Sequence, residues 1–125
     1  MTLRCPVVLA AALAICLPAF AGEPLTGPQI VEAVTGSTTS GINTYGNPYT
    51  VEIRPGGTTW GVAGFSNEYE DNGTWWVEGD SYCRRWTTWL EGQTACFQVF
   101  VADDKVTWVD AATGNARVED YVPPQ

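Results

Sequence analysis

The first patterned segment after the N-terminal apolar run, "EPLTGPQIVEAVTG", has the signals of one short helix. Thr26 stands at a plausible N-cap, Gln29 follows at the capping-box position, and Gly36 ends the pattern. The apolar positions form a narrow stripe: Ile30, Val31 and Val34. We expect this helix to pack against a sheet, and the polar, glycine-rich "STTSGINTYGNP" after it to be a connection.

From residue 49 onward, apolar and polar positions alternate with the period of a β-strand. Six segments carry the alternation: "YTVEIR", "TTWGVAGF", "TWWVEG", "SYCRRWT", "ACFQVFV" and "KVTWVD". Their connections are short, and "PGG" and "DD" have turn chemistry. Six or seven strands in sequence order predict a mainly β fold, an antiparallel meander curled into a small barrel or barrel-like sheet, with one short helix before it.

The acidic stretch "SNEYEDNG" ends in a strong hairpin signal. We expect Glu68, Glu70 and Asp71 to lie at a solvated hairpin tip. Their spacing faintly resembles that of a calcium loop, but the position of the closing glutamate falls on Gly79, so no metal site is expected.

Residues 1–21 have the pattern of a secretory signal peptide: a short positive start, an apolar run, and Ala19 and Ala21 as the small residues of a cleavage site. Lipidation of Cys16 is the alternative, but Ile15 precedes it where lipoprotein processing requires a small residue. We therefore expect residues 22–125 to form a single secreted or periplasmic domain, monomeric and without stable membrane insertion.

The charge of the chain argues against nucleic acid and anionic lipid as partners. The formal net charge is -8, and it becomes -9 when Arg4 leaves with the signal peptide. Such a surface repels nucleic acid and anionic lipid, so neither is expected as a partner.

Cys83 and Cys96 are the two cysteines outside the signal segment. They could form a redox pair, a metal site, an activated nucleophile or a structural disulfide. Redox catalysis favours a C-x-x-C spacing, and zinc needs further ligands in a chain that has no histidine. Export and hairpin spacing favour a structural disulfide.

The lack of histidine also removes Ser-His-Asp, Cys-His and H-E-x-x-H sites. Carboxylate chemistry remains possible, as in a glycan hydrolase, but the sequence singles out no pair of carboxylates. We therefore expect no enzyme activity, no catalytic residue and no cofactor.

Six tryptophans exceed what a small β core needs. Trp75, Trp108 and Trp60 are the candidates to fill the interior. Because Trp75 and Trp76 are adjacent, they must face opposite sides of their strand. An aromatic patch or pocket edged by arginine suits a small anionic or planar ligand or a partner protein, and its candidate residues are Trp76, Arg84, Trp86 and Trp89.

The chain resembles a family of small secreted bacterial domains of unknown function. The resemblance rests on the leader helix "LTGPQIVEAVTGST", the turn "RPGGTTWG", the strand pair "DNGTWWVEGDSYC" and the second cysteine in "TACFQVF". Gly56 stands where the family usually has aspartate in that turn. The resemblance spans nearly all of residues 22–125 and implies a fold and export, but no activity.

These observations predict a non-catalytic binding module that holds a small ligand or a component of the cell envelope. The alternative is a structural or protein-interaction domain of the envelope without a small ligand. The two differ in whether the aromatic side chains enclose a cavity or form a flat patch.

Overall fold

The computed structural model describes residues 22–125, so the predicted signal peptide lies outside the described residues. The described part of the chain contains one α-helix and eight strands. Their bounds are α1 Gly27–Val34, β1 Thr38–Ile42, β2 Pro48–Arg54, β3 Thr58–Ala63, β4 Tyr69–Glu78, β5 Ser81–Trp86, β6 Thr94–Ala102, β7 Lys105–Asp110 and β8 Ala116–Val122. Every strand pairs antiparallel with its sequence neighbours, and β8 pairs with β1 to close a barrel. The predicted barrel-like meander is confirmed.

The barrel has two different ends. Short turns at 55–57, 79–80 and 103–104 lie at the end that carries α1, which we call the lower end. The connections 43–47, 64–68, 87–93 and 111–115 lie at the opposite, upper end. Because side chains alternate along each strand, every second residue points into the barrel.

Helix α1 closes the lower end. The predicted capping box is present, with the Thr26 side chain accepting from the Gln29 amide and the Gln29 side chain accepting from the Thr26 amide. Ile30 and Val34 are fully buried against the barrel interior, whereas Val31 is 45% exposed and does not belong to the packed stripe. The helix therefore completes the core with two side chains.

Asp80 ties the start of α1 to the β4–β5 turn. Its Oδ1 accepts the Gly27 amide at 2.7 Å, and a Cβ on Gly27 would lie only 2.3 Å from the Gly79 carbonyl oxygen. The Gly79–Asp80 pair is part of the strand-pair motif noted in the sequence. Its structural role is to hold the helix against the barrel.

Aromatic rings fill the centre of the barrel. Trp75 stacks on Tyr82 with centroids 5.9 Å apart, and Tyr82 meets Trp108 at 4.8 Å. Phe97 meets Trp108 edge to face at 6.1 Å. Each such pair contributes about 0.5–1.5 kcal/mol beyond burial of area, so this stack is a major part of the core.

Two strands differ from the sequence-based expectation. The connection "STTSGINTYGNP" contains β1, and β8 follows the segment expected to be the last strand. In β8, Glu119 and Tyr121 face inward and are buried. Val118 and Val122 face outward and are at least half-exposed, the reverse of the usual apolar-in pattern. These two segments form strands despite their polar patterns, because closure of the barrel pairs β1 with β8. Each strand thereby provides hydrogen-bond partners for the other's free edge.

The "DNG" segment is not a hairpin turn. Asp71, Asn72 and Gly73 lie within β4, and Asp71 is buried instead of solvated. A Cβ on Gly73 would lie 2.4 Å from the Arg85 carbonyl oxygen and 3.0 Å from the Thr59 hydroxyl. Close approach of neighbouring chain segments, not a positive φ, is therefore the reason for glycine at this position.

The expected disulfide is confirmed. Cys83 and Cys96 lie directly opposite each other on β5 and β6, and their sulfurs are bonded. Within the described residues, no helix is long and apolar enough to cross a bilayer.

Candidate ligand site at the upper end of the barrel

The four sequence-predicted site residues do not share one surface. Trp76 lies on the outer face of β4, opposite Cys83, and its indole N–H donates to Glu78 at 3.0 Å. Arg84 and Trp86 point into the barrel from β5, and Trp89 lies in the 87–93 loop above them. The expected grouping of Trp76 with Arg84 and Trp86 is therefore not found, since these residues occupy opposite faces of the sheet.

The tryptophans divide between interior and exterior. Trp75, Trp86 and Trp108 are buried, and Trp75 and Trp108 belong to the core as expected. Trp60 was expected inside, but it lies half-buried on the outer face, with its indole N–H donating to Glu70 at 2.9 Å. The structure thus confirms that Trp75 and Trp76 face opposite sides.

Trp86 and Trp89 form a ring pair at the upper end, with centroids 4.9 Å apart. Both rings lie over Gly61 of β3: a Cβ there would be 2.6 Å from Trp89 Cζ3 and 3.0 Å from Trp86 Cη2. The missing side chain of Gly61 makes the space that the rings occupy. On this side of the barrel, aromatic rings fill the interior in place of a deep cavity.

Asp71 anchors the 87–93 loop. Its Oδ2 accepts the amides of Thr88 and Trp89, both at 2.8 Å. Desolvation opposes the charge of Asp71, but hydrogen bonds from the amides of Trp89, Thr88 and Asn72 outweigh it and hold its pKa below the usual range. A charged carboxylate beneath the loop thus holds Trp89 over the barrel.

The same loop has an unusual backbone. Leu90 has φ 53° and Glu91 has φ 58°, two consecutive left-handed residues that are not glycine. Such conformations cost energy and persist where the surrounding contacts impose them. Arg85 Nε donates to the Gly92 carbonyl at 2.9 Å, and the disulfide joins the two strands below, so the loop is held at both sides. Leu90 is 61% exposed at the upper end.

A polar network occupies the opposite side of the interior. Tyr49 donates a hydrogen bond to Glu119 Oε2, and Trp108 donates its indole N–H to Glu119 Oε1 at 2.7 Å. Arg117 donates to the Tyr49 hydroxyl at 2.9 Å. Burial raises the pKa of Tyr49, and the neighbouring charge of Glu119 raises it further. The network satisfies a buried carboxylate inside a largely aromatic core.

Arg84 is the inward-facing cation without a hydrogen-bonded acceptor. Its guanidinium lies over the Phe97 ring, 5.2 Å from the centroid, and it is partly buried. Among residues 22–125, no side chain or carbonyl accepts a hydrogen bond from it, although the charges of Glu119 and Asp110 favour its protonated form. Burial lowers the Arg84 pKa, yet an arginine remains charged at neutral pH. Its donors are free to bind an anion.

Arg84 lines an open cleft of about 500 Å³ between the 87–93 and 111–115 loops. Its walls come from the ends of β5, β6 and β7 and from these two loops. The lining residues are Arg84, Leu90, Gln93, Thr94, Ala95, Cys96, Asp110, Ala111 and Ala112. Asp110 Oδ1 accepts the amides of Ala112 and Thr113 at 2.8 and 3.1 Å, so its carboxylate is stabilised by hydrogen bonds from its own loop. The cleft therefore combines one arginine and one carboxylate with the polar residues Gln93 and Thr94 and with apolar wall from Leu90 and three alanines.

The described residues bring one possible metal-ligand group together, Glu78 with Cys83 and Cys96. Both sulfurs are in the disulfide, and a disulfide sulfur is not the thiolate that binds a metal. In the oxidised protein the two cysteines therefore form a structural disulfide.

Sequence reasoning identified Arg84, Trp86 and Trp89 as candidates but missed Tyr49, Asp110 and Leu90. Asp110 ends the last strand that the alternation predicts, and polar residues at strand ends are a usable signal for a barrel mouth. Leu90 carries no comparable signal, because its exposure follows from the backbone of the folded loop.

No family model matches the chain, and no curated protein or solved structure has detectable similarity to it.

Proposed function

We propose that this protein is an exported, non-catalytic binding module that holds a small anionic ligand at the upper end of its barrel. The observation that carries the proposal is Arg84, a partly buried cation that lines an open cleft and has no hydrogen-bonded acceptor among the described residues. An unpaired guanidinium in such a position offers a fork of donors that fits a carboxylate or phosphate.

The size and lining of the cleft support a small ligand. Pockets for small molecules usually enclose about 300–1,000 Å³ with mainly apolar walls and a few polar groups that orient the ligand. The cleft of about 500 Å³ falls in this range, and Leu90, Ala95 and Ala112 provide apolar wall beside Arg84. An eight-stranded barrel is also of the size that accommodates one small ligand near its mouth.

Export is part of the proposal. The signal-like segment 1–21 and the Cys83–Cys96 disulfide both support an oxidising compartment, the periplasm or the exterior. N-terminal sequencing of the exported protein should start at Gly22 or within one or two residues of it. An acylated terminus at Cys16 would contradict this part of the proposal.

The binding claim is tested by isothermal titration of the protein with small carboxylates, phosphates and sulfates. We expect at least one class of anion to bind, and Arg84→Gln to weaken that binding at least tenfold. Arg54→Gln is the control, because Arg54 is an exposed arginine at the lower end of β2, where it pairs with Glu52 and does not line the cleft.

Two results would contradict the proposal. One is equal loss of binding in the two arginine variants, since that would indicate bulk electrostatics. The other is the lack of binding by any of the anions, which would favour a structural or protein-interaction domain of the envelope.

A further inference from the structure

The upper end of the barrel exposes a set of large apolar side chains, which we call the apolar rim. Its members are Ile42 at 70% exposure, Tyr45 at 88%, Phe65 at 81%, Tyr69 at 53% and Leu90 at 61%. The other strongly exposed large hydrophobic residues in the described part of the chain, Val31, Val118 and Val122, lie on α1 and β8. The rim therefore concentrates apolar surface at the end that holds the Arg84 cleft.

The rim residues lie on three loops and on the strand ends beside them, and these loops are neighbours. The Gly64 amide donates to the Pro48 carbonyl at 2.8 Å, which joins the 64–68 loop to the strand that follows the 43–47 loop. Asp71 joins the 87–93 loop to β4, the strand that follows the 64–68 loop. Leu90 belongs to both features, since it is a rim residue and also lines the cleft.

From these two observations we infer that the ligand is a monoanionic amphiphile, with its acidic head at Arg84 and its apolar chain across Leu90 and the apolar rim. The inference rests on the proposed function and adds the chemical class of the ligand. Arg84 accounts for the head group. The exposed apolar side chains account for the chain, because large exposed apolar side chains concentrated at one end of a protein mark a binding site.

The charge of the protein favours a ligand with a single negative charge. The formal net charge, -8 for the full sequence and -9 once Arg4 leaves with the signal peptide, opposes polyanions and anionic membrane surfaces at long range. A single carboxylate is repelled less strongly than a polyanion. It can still pair with the Arg84 guanidinium inside the cleft, where water screens the attraction between the two charges less. A free, monomeric amphiphile thus fits better than a membrane.

The backbone of the 87–93 loop supports the same conclusion. Leu90 is held in a left-handed conformation and 61% exposed, by anchors at Asp71 and Arg85. Strain of this kind is found where a loop must present a side chain to a ligand. Here it places the leucine side chain at the junction of cleft and rim.

The experiment compares three probes by isothermal titration: decanoate below its aggregation concentration, acetate and decanol. Decanoate should bind at least tenfold more tightly than either acetate, which lacks the chain, or decanol, which lacks the charge. Leu90→Asn should weaken decanoate binding at least threefold, since asparagine tolerates the left-handed backbone but removes the apolar contact. Val118→Asn is the control, because Val118 is 62% exposed but lies on β8 away from the cleft.

The outcomes separate the inference from the proposed function. If acetate binds as tightly as decanoate, and both depend on Arg84, the anion site stands and the amphiphile inference is overturned. If decanol binds as tightly as decanoate, the charge of the head group does not contribute and the amphiphile inference is overturned. The proposed function fails only if acetate and the other small anions show no Arg84-dependent binding. Binding to phosphatidylglycerol vesicles without binding of monomeric decanoate would also overturn the inference, in favour of a membrane surface.

Discussion

Tyr49 reaches across the inner face of β1 to donate a hydrogen bond to Glu119 on β8. The crossing is possible because Gly41 lies between them: a Cβ at position 41 would be 2.8 Å from the Tyr49 hydroxyl oxygen. This bond links the two strands on either side of the point where the barrel closes. The hydrogen bond to the buried Glu119 carboxylate therefore stabilises the closed barrel.

Tyr49→Phe should destabilise the protein by about 1–3 kcal/mol, because it leaves one oxygen of the buried Glu119 carboxylate without its tyrosine donor. Urea unfolding at pH 7 measures the effect. Tyr45→Phe is the control, since Tyr45 is 88% exposed, and it should leave the unfolding midpoint unchanged. Equal midpoints for the two variants would contradict a stabilising role for the Tyr49–Glu119 bond.

Stability should fall at alkaline pH. Burial raises the pKa of Tyr49, Tyr82 and Tyr121 above the ordinary tyrosine value of about 10. A group whose folded pKa is raised contributes stability that is complete below its unfolded pKa and is lost as the pH rises through the folded value. The urea midpoint should therefore be constant from pH 7 to about pH 9 and decrease above about pH 10.

Lys105 requires a control in that experiment, because its hydrogen bond to Asp120 raises its pKa and gives the same sign of effect. The decrease should persist in Lys105→Met and be smaller in Tyr49→Phe. Phenolate absorbance followed through the same pH range should show delayed ionisation in the folded protein relative to the urea-unfolded chain. A midpoint that stays constant to pH 11 would contradict the prediction.

Gly61→Ala should destabilise the protein by about 1–3 kcal/mol through overpacking, because the added methyl would meet the rings of Trp89 and Trp86. Tryptophan emission should shift as Trp89 moves away from the barrel. Combining Gly61→Ala with Trp89→Leu should cost less than the sum of the single changes, and a double-mutant cycle in urea measures that difference. Additive costs would show that the glycine and the indole are independent.

Asp71→Asn should destabilise the protein by about 1–3 kcal/mol at pH 7, since it weakens the acceptor of the Thr88 and Trp89 amides. The pKa of Asp71 is lowered in the folded state, so its contribution is present above the unfolded value of about 3.9 and is lost as the pH falls through the folded value. The difference between wild type and Asp71→Asn should therefore shrink from pH 7 to pH 2.5. Glu91→Gln, an exposed change in the same loop, should show neither effect.

The disulfide should contribute about 3 kcal/mol to stability, the value expected for closure of a loop of this length. Urea unfolding of Cys83→Ala/Cys96→Ala measures it. The intact exported protein should also be lighter than its reduced form by two hydrogen atoms in mass spectrometry, and alkylation before reduction should modify neither cysteine.

Reduction of this bond in the folded protein should be slow, because Cys83 is fully buried and Trp76 lies directly opposite it on the same face. Trp76→Ala should accelerate reduction by a small-molecule thiol at least threefold. Trp60→Ala, which removes another half-buried tryptophan of the outer face, should not. Equal rates in both variants would indicate that reduction proceeds through global unfolding.

Much of the fold follows from local sequence signals. Thr26 and Gln29 cap the helix, as their spacing predicts, because a capping box depends only on groups within one turn. Alternation likewise locates the six strands between Pro48 and Asp110, since each has a half-buried face. The pairing of Cys83 with Cys96 follows from count and compartment, as the two cysteines available outside the predicted signal segment.

The tertiary structure alone decided the closure of the barrel and the content of the site. Strands β1 and β8 have weak or inverted patterns, and they are strands because the two sheet edges meet. Gly73 looked like a turn residue, but it lies where a neighbouring carbonyl approaches too closely for any side chain. Arg84 and Arg85 are equivalent as sequence neighbours. Only the fold places Arg84 in an open cleft and Arg85 on the outer face, because the neighbours of a side chain come from strands that are distant in sequence.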